Sequence, residues 1–78
     1  MTPLKQYSIV RVVRLLRPAE EYDKWQVNKR CPRTEDTGTI VEILHVPNLP
    51  DKYVVEATEP DGSTVWLSEF DVGEIGPV

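Results

Sequence analysis

The segment YVVEATEPDGSTVWL, residues 53–67, contains two runs that favour β-strands, one on either side of a turn. In the first run every second residue from Tyr53 to Ala57 falls on one face, as a strand with one buried face requires. Pro60 presets the backbone for a turn, and Gly62 accepts the positive φ that closes it. The second run, TVWL, returns as the partner strand. This segment therefore predicts a β-hairpin.

Further strands are predicted on both sides of the hairpin. GTIVEIL, residues 38–44, and QYSIVRVVRLL, residues 6–16, are rich in the β-branched residues that favour strands. The prolines of residues 47–52 predict a loop. Residues 68–71 are predicted as a short turn, and residues 72–75 as a brief closing strand. The sequence thus predicts five short strands.

Strand alternation also predicts which side chains share a face. In the 38–44 strand, Val41 and Ile43 fall on one side. If Val65 and Leu67 point into the protein, the indole of Trp66 between them faces outward. The same count therefore makes Trp66 a candidate surface residue.

A long excursion, residues 17–37, separates the first strand from the rest. Residues 18–26 could form a single helical turn, and Cys31-Pro32 then requires an extended or turning backbone. Long irregular segments inside compact domains are usually functional. Five strands of this length fit a small barrel that hides most sheet edges. We therefore predict an all-β fold, a single SH3-like five-stranded barrel over residues 1–78 with a long first loop.

Specific residues support this prediction by resemblance. The succession of Gly38–Ile43, Tyr53–Glu56, Asp61-Gly62 and Leu67 resembles a family of small uncharacterised bacterial proteins with an SH3-like barrel. The resemblance covers about residues 6–76. It implies the fold and leaves the function open.

Two further resemblances point toward accessory subunits. Val10–Val12 and Arg17–Tyr22, with Gly38-Thr39, are similar to ferredoxin-docking SH3-like subunits of photosynthetic complexes. A basic loop followed by a Gly-Thr strand, a Tyr-Val strand and Val65–Leu67 resembles the small barrel of the nitrile hydratase β subunit. That barrel supports a catalytic partner and does not hold the metal itself. Both resemblances imply a larger protein partner.

Charge is divided unequally along the chain. Residues 1–33 have eight Lys and Arg against three acids, a net charge of +5, whereas residues 34–78 have one Lys against ten acids, a net charge of −9. The halves could neutralise each other in the fold, or the first could form a basic face that steers a partner with an acidic patch. The overall charge of −4 argues against nucleic acid as the partner.

The expected compartment and chemistry of the protein follow mainly from features that the sequence lacks. Residues 1–6 lack signal-peptide features, no apolar run approaches the roughly 18 residues of a membrane span, and Cys31 cannot form an internal disulfide. We therefore expect a cytoplasmic protein with no membrane partner. The glycines are scattered, and His45 and Cys31 are the single histidine and the single cysteine of the sequence. We therefore predict no catalytic site, no metal and no cofactor. The arginines beside Cys31 favour a lowered thiol pKa.

Aromatic and basic residues supply the candidate partner site. Exposed Trp and Tyr are enriched at interfaces, because they bury a large area with few rotatable bonds. The alternative is that Trp66 is covered by the loop's own aromatic residues. The predicted partner-binding residues are Tyr22, Trp25, Lys29, Arg30, Arg33 and Trp66.

The function predicted from these features is a non-enzymatic interaction module, either an accessory subunit or a small antidote-like protein with a larger partner. One alternative is a nucleic-acid-binding barrel that uses the basic first half. A second alternative is a structural homo-oligomer, in which the edge of the first strand pairs with a second copy.

Overall fold

The computed structural model of the chain describes residues 4–78, so the first three residues of the segment considered for a signal peptide lie outside it. Five strands follow one another, with a 3-10 turn at Ala19–Tyr22 in the long first loop and another at Val72–Glu74. The strands are β1 (Ile9–Val12), β2 (Thr37–Leu44), β3 (Lys52–Thr58), β4 (Thr64–Asp71) and β5 (Ile75–Pro77).

All five strands form one antiparallel sheet in the order β4-β3-β2-β1-β5. The all-β prediction is confirmed. The strands β4 and β5 are the two ends of the sheet, which is not closed. Because β1 pairs with β2 on one side and β5 on the other, its edges are both occupied. The prediction that the first strand offers a free edge to a second copy is therefore wrong.

The β3–β4 hairpin is confirmed. Gly62 has a φ of +89° and its N–H donates to the Glu59 carbonyl at 2.8 Å. The Asp61 carboxylate accepts from the N–H of Ser63 at 2.9 Å and from its hydroxyl at 2.7 Å. These bonds from Ser63 lower the pKa of Asp61. The turn is therefore held by its own side chains as well as by glycine.

One core lies against the inner face of the sheet. Ala57 pairs with Trp66 and Tyr53 with Phe70, so the inner face of β3 determines which residues of β4 point inward. The Trp66 and Phe70 rings meet edge to face with centroids 5.6 Å apart, and Tyr22 from the first loop lies 5.5 Å from Phe70. The core residues are Val10, Val12, Tyr22, Ile40, Tyr53, Val55, Ala57, Trp66, Phe70 and Ile75.

A bulge in β2 changes its alternation. Ile40 pairs with Val55 and Glu42 with Val54, which leaves Val41 as the extra residue. The Val41 carbonyl accepts a hydrogen bond from the Gln6 side-chain amide at 2.9 Å. Ile40 and Ile43 therefore face the core, and the prediction that Val41 and Ile43 share a face is wrong.

The end of the chain also differs from the prediction. Residues 68–71 continue β4 instead of turning, because Ser68 and Phe70 carry the buried alternation through to the end of β3. Residues 72–74 form the 3-10 turn, which a capping box between Asp71 and Glu74 stabilises, and β5 begins only at Ile75. At the other end, β1 covers only four residues of the predicted 6–16 strand.

Gly38 is required where the start of β2 lies close against β3. A Cβ atom there would lie 2.7 Å from the Glu56 carbonyl oxygen and 2.8 Å from a Val55 methyl carbon. Because backbone cannot give way cheaply, we expect Gly38→Ala to lower the free energy of unfolding by about 1–3 kcal/mol in urea titrations. No atom of residues 4–78 lies within 4 Å of the equivalent position at Gly73, so Gly73→Ala is the matched control. An equal effect of both variants would contradict this packing argument.

Among residues 4–78, no helix has the length and apolar character needed to cross a membrane.

Candidate functional site

The long first loop is held to the sheet by three groups of polar side chains, the first of which is centred on Glu74. Its carboxylate is fully buried and accepts hydrogen bonds from the Leu16 N–H at 3.1 Å, the Asp71 N–H at 2.9 Å and the Tyr22 hydroxyl. The Arg17 guanidinium lies 3.4 Å from the same carboxylate and 4.7 Å from the centroid of the Tyr22 ring. One acidic side chain therefore fixes both ends of the segment from residue 16 to residue 22.

The charges in this group perturb one another. Burial raises the pKa of the Tyr22 hydroxyl, and its hydrogen bond to Glu74 raises it further. Burial opposes the charge on Arg17, but the nearby Glu74 carboxylate and Tyr22 outweigh it and raise the pKa of Arg17. The neutral tyrosine and the charged arginine are thus the states that the fold stabilises.

Asn28 forms the second attachment, along the outer edge of β4. Its side-chain carbonyl accepts from the Leu67 N–H at 2.8 Å, while its amide nitrogen donates to the Tyr22 carbonyl at 2.9 Å. The next residue, Lys29, donates its N–H to the Val65 carbonyl at 2.8 Å. Two loop residues therefore occupy the hydrogen-bonding positions of a missing neighbour strand, which removes part of an exposed edge.

The third attachment is centred on Asp36. Its carboxylate accepts two hydrogen bonds from the Arg30 guanidinium, at 2.7 and 3.2 Å, one from the Arg33 N–H at 2.9 Å, and one from the Trp66 indole N–H at 3.0 Å. Burial alone would raise the pKa of Asp36, but the bonds from Arg30, the Arg33 backbone and Trp66 outweigh it and lower the pKa. The loop end is thereby tied to the largest core side chain.

With the loop fixed in this way, a groove of about 380 Å³ remains between it and the β2–β3 loop, residues 45–51. Apolar residues of β2 and the β2–β3 loop line the groove, and charged residues of the first loop, β3 and β4 border it. The lining residues are Lys24, Leu44, Val46, Leu49, Pro50, Lys52 and Glu69. Val46 is 51% exposed and Leu49 62%, so apolar surface is open to solvent here.

Local bonds preorganise the β2–β3 loop. The Leu49 N–H donates to the Val46 carbonyl at 3.1 Å, and Asn48 takes a positive φ of 69°, which asparagine tolerates well. At the base of the loop, the His45 ring nitrogen Nδ1 lies 2.7 Å from an Asp51 carboxylate oxygen. The two exposed apolar side chains therefore project from a closed turn, and ordering them on binding costs little entropy.

Lys24 connects the groove to the exposed tryptophan of the first loop. Its ammonium lies 3.0 Å from the Glu69 carboxylate and 5.4 Å from the centroid of the Trp25 ring. Trp25 is 40% exposed and stands beside the positive-φ residue Gln26, whose N–H donates to the Asp23 carbonyl at 3.1 Å. Lys24 thus lines the groove on one side and contacts Trp25 on the other.

Two of the predicted partner-binding residues are core residues. Trp66 is 0% exposed and Tyr22 is 1% exposed, so neither can contact a partner of the folded protein. The reason is the hairpin register, which turns Trp66 toward the core, and the Glu74 carboxylate, which draws the Tyr22 hydroxyl inward. The alternative that loop aromatics cover Trp66 agrees with the position of Tyr22, which packs in the same core cluster.

The remaining four predicted residues fall on two separate surfaces. Trp25 lies beside Lys24, which contacts Glu69, whereas Lys29 binds Val65, four residues earlier on β4 and about 14 Å away at the usual strand rise. Arg30 is engaged with Asp36, and Arg33 is exposed close to it. The predicted site is therefore divided, and only Trp25 adjoins the groove.

Basic side chains of the first half pair with acids of the second half. The ion pairs are Arg11–Glu35, Arg17–Glu74, Lys24–Glu69 and Arg30–Asp36. This agrees with the alternative in which the two halves neutralise each other. Arg11, Arg17 and Arg30, which belong to the basic first half considered for nucleic-acid binding, are occupied in this way.

Cys31 and His45 have different partners and do not form a pair. Cys31 is half-buried with its sulfur 3.9 Å from the Ala19 carbonyl oxygen, and His45 binds Asp51. Burial raises the pKa of the Cys31 thiol and outweighs the opposing arginines, so the lowered pKa is not found. In residues 4–78, no three His, Cys, Asp or Glu side chains are grouped to hold a metal ion.

The sequence could not have shown the groove directly. Val46 and Leu49 lie in a stretch whose prolines predict only a loop, and their exposure depends on the turn between them. A scan against protein-family models finds no matching family, and searches of curated proteins and of solved structures find no match.

Proposed function

We propose that this protein is a non-enzymatic interaction module that binds a larger protein through the groove between its first loop and its β2–β3 loop. The observation that carries the proposal is the exposed pair Val46 and Leu49, which project from a closed turn into the groove that Lys24 also lines. Solvent-exposed apolar side chains on a preorganised loop are a feature of binding surfaces. An accessory subunit or a small antidote-like protein would use such a surface.

We further propose that the open sheet curls into an SH3-like barrel. The strand order and the long first loop support this, as does the single core, which contains Trp66 from one end strand and Ile75 from the other. The bulge in β2 would supply a bend at the required place. A cytoplasmic location is part of the same proposal, supported by the single cysteine.

The groove is tested by changing one of its exposed residues. We expect Leu49→Ser to leave the urea midpoint within error, because the side chain is 62% exposed, and to weaken capture of the native partner at least about tenfold. Capture from the native host with mass spectrometry identifies the partner, and titration of that purified partner measures the affinity. Leu16→Ser is the matched control, since Leu16 is 60% exposed and does not line the groove.

The result decides between the groove and other surfaces. Equal losses of affinity in Leu49→Ser and Leu16→Ser would contradict the proposal, as would retained affinity in both. Trp25→Ala should behave like Leu49→Ser, whereas Trp66→Ala should lose the fold as well, because Trp66 is fully buried.

A further inference from the structure

The charges on the groove wall indicate the chemistry of the partner. Building on the proposed function, we infer that the groove binds an extended apolar segment of a protein that carries one carboxylate, and that Lys24 binds this carboxylate. The partner segment would place apolar side chains on Val46, Leu49 and Pro50. Its acidic residue would lie against Lys24, at the wall next to Trp25.

Lys24 can bind the carboxylate of a partner because it is much more exposed than the acid with which it forms an ion pair. The Lys24 side chain is 58% exposed, whereas its partner Glu69 is only 16% exposed. The negative charge is thus largely covered, and the positive charge faces the solvent of the groove. An ammonium has three donors, and among residues 4–78 only the Glu69 carboxylate accepts a hydrogen bond from it, so a second acceptor can be added without breaking the first contact.

Lys52, the second lysine of the groove, is less suited to bind a carboxylate of the partner. Lys52 pairs with Asp71, and the two side chains are almost equally exposed, at 41% and 36%. Their charges therefore cancel toward solvent as well as within the pair. Lys24 is thus the more exposed of the two lysines that line the groove and is paired with the better covered acid, which fits a single carboxylate.

The same arrangement disfavours a polyanion. Glu69 lines the groove and Asp71 is paired with Lys52 at its border, so a chain of phosphates would meet two carboxylates for its two lysines. A peptide with one acidic residue can direct its charge at Lys24 and keep apolar groups elsewhere. Like charges across an interface reject the wrong ligand, so these two carboxylates would act in specificity.

Synthetic peptides test the inference. The probes are fluorescein-labelled peptides of alternating Leu and Thr with one internal Glu, compared with otherwise identical peptides in which Gln or Lys replaces Glu. Fluorescence anisotropy measures affinity, and amide chemical shifts locate the binding. We expect the Glu peptide to bind about tenfold more tightly than the Gln peptide, with shifts at Lys24, Trp25 and Leu49. The Lys peptide should bind most weakly.

Two variants assign the effect to one ammonium group. Lys24→Gln should remove the preference for Glu over Gln while weak binding to the apolar groove persists. Lys29 is a first-loop residue whose ammonium contacts Ser63, near the other end of β4. Lys29→Gln should therefore retain the full preference for the Glu peptide over the Gln peptide. A preference that survives in Lys24→Gln would overturn the inference.

Other outcomes separate this inference from the proposed function. Equal affinity for the Glu and Gln peptides, with amide chemical shift changes in the groove, would contradict the role of a carboxylate in the partner. The same result would support the groove as the binding site. Displacement of the Glu peptide by single-stranded oligothymidylate at physiological salt would overturn it in favour of a polyanion. If no peptide binds, the inference fails, and the native-partner titration with Leu49→Ser then decides separately on the proposed function.

Discussion

Glu74→Gln is expected to lower the free energy of unfolding by about 3–5 kcal/mol, the cost of removing one member of a buried ion pair. The Glu74 carboxylate accepts from the Leu16 and Asp71 N–H groups and from the Tyr22 hydroxyl, and it balances the charge of Arg17. A carboxamide has the same shape but turns two N–H donors toward these donors. In a domain of this size the melting temperature should fall by more than about 10 °C.

Matched variants separate the buried carboxylate from carboxylates in general. Glu42→Gln changes an exposed residue of β2 and should shift stability by no more than about 0.5 kcal/mol. Tyr22→Phe removes only one of the donors to Glu74 and should fall between the two. Urea unfolding followed by tryptophan fluorescence measures the stability of all three variants. Similar values for Glu74→Gln and Glu42→Gln would show that the network contributes little.

The hairpin could be predicted from sequence because its signals are local. Pro60 and Gly62 suit only a few backbone conformations, and the flanking runs have the strand alternation. The inner face of β3 was likewise predicted, since Tyr53, Val55 and Ala57 are all buried. Where one residue type and its neighbours decide the conformation, sequence alone was sufficient.

The face of the sheet on which Trp66 lies could not be predicted by counting residues from the hairpin turn. Ala57 pairs with Trp66 but Thr58 pairs with Thr64, so Val65 is an extra residue on β4 next to the turn. A single extra residue reverses every face beyond it. The bulge at Val41 in β2 has the same effect, and neither irregularity leaves a sign in the sequence.

Partners distant in sequence were also beyond prediction. Glu74 looked like one of many acids, and its burial depends on donors from residues 16–22, more than 50 positions away. The groove depends on the same long-range contacts, because Lys24 reaches Glu69 only after the loop is fixed. The charge division between the halves was visible in sequence, and the pairing of individual charges was not.

Asp36→Asn is expected to lower the free energy of unfolding at neutral pH by about 2–3 kcal/mol, because it removes a charge that several donors bind. Burial tends to raise the pKa of Asp36, but the bonds from Arg30, the Arg33 backbone and Trp66 lower it below the usual value. A carboxylate with a lowered pKa in the folded state stabilises the protein above the unfolded pKa of about 3.9. That contribution is lost as the pH falls from there through the lower folded pKa.

The pH dependence distinguishes charge from shape at this position. Near neutral pH the wild type should exceed Asp36→Asn in stability by the full amount. The difference should be smaller at about pH 3, because the unfolded chain there binds a proton at Asp36 that the folded protein, with its lowered pKa, binds less readily. Glu35→Gln is the control, because the neighbouring Glu35 side chain is 76% exposed and should show little difference at either pH. A difference for Asp36→Asn that stays constant between the two pH values would mean that the altered hydrogen-bond geometry around Trp66, and not the charge, determines the effect. A difference that grows on acidification would contradict the lowered pKa itself.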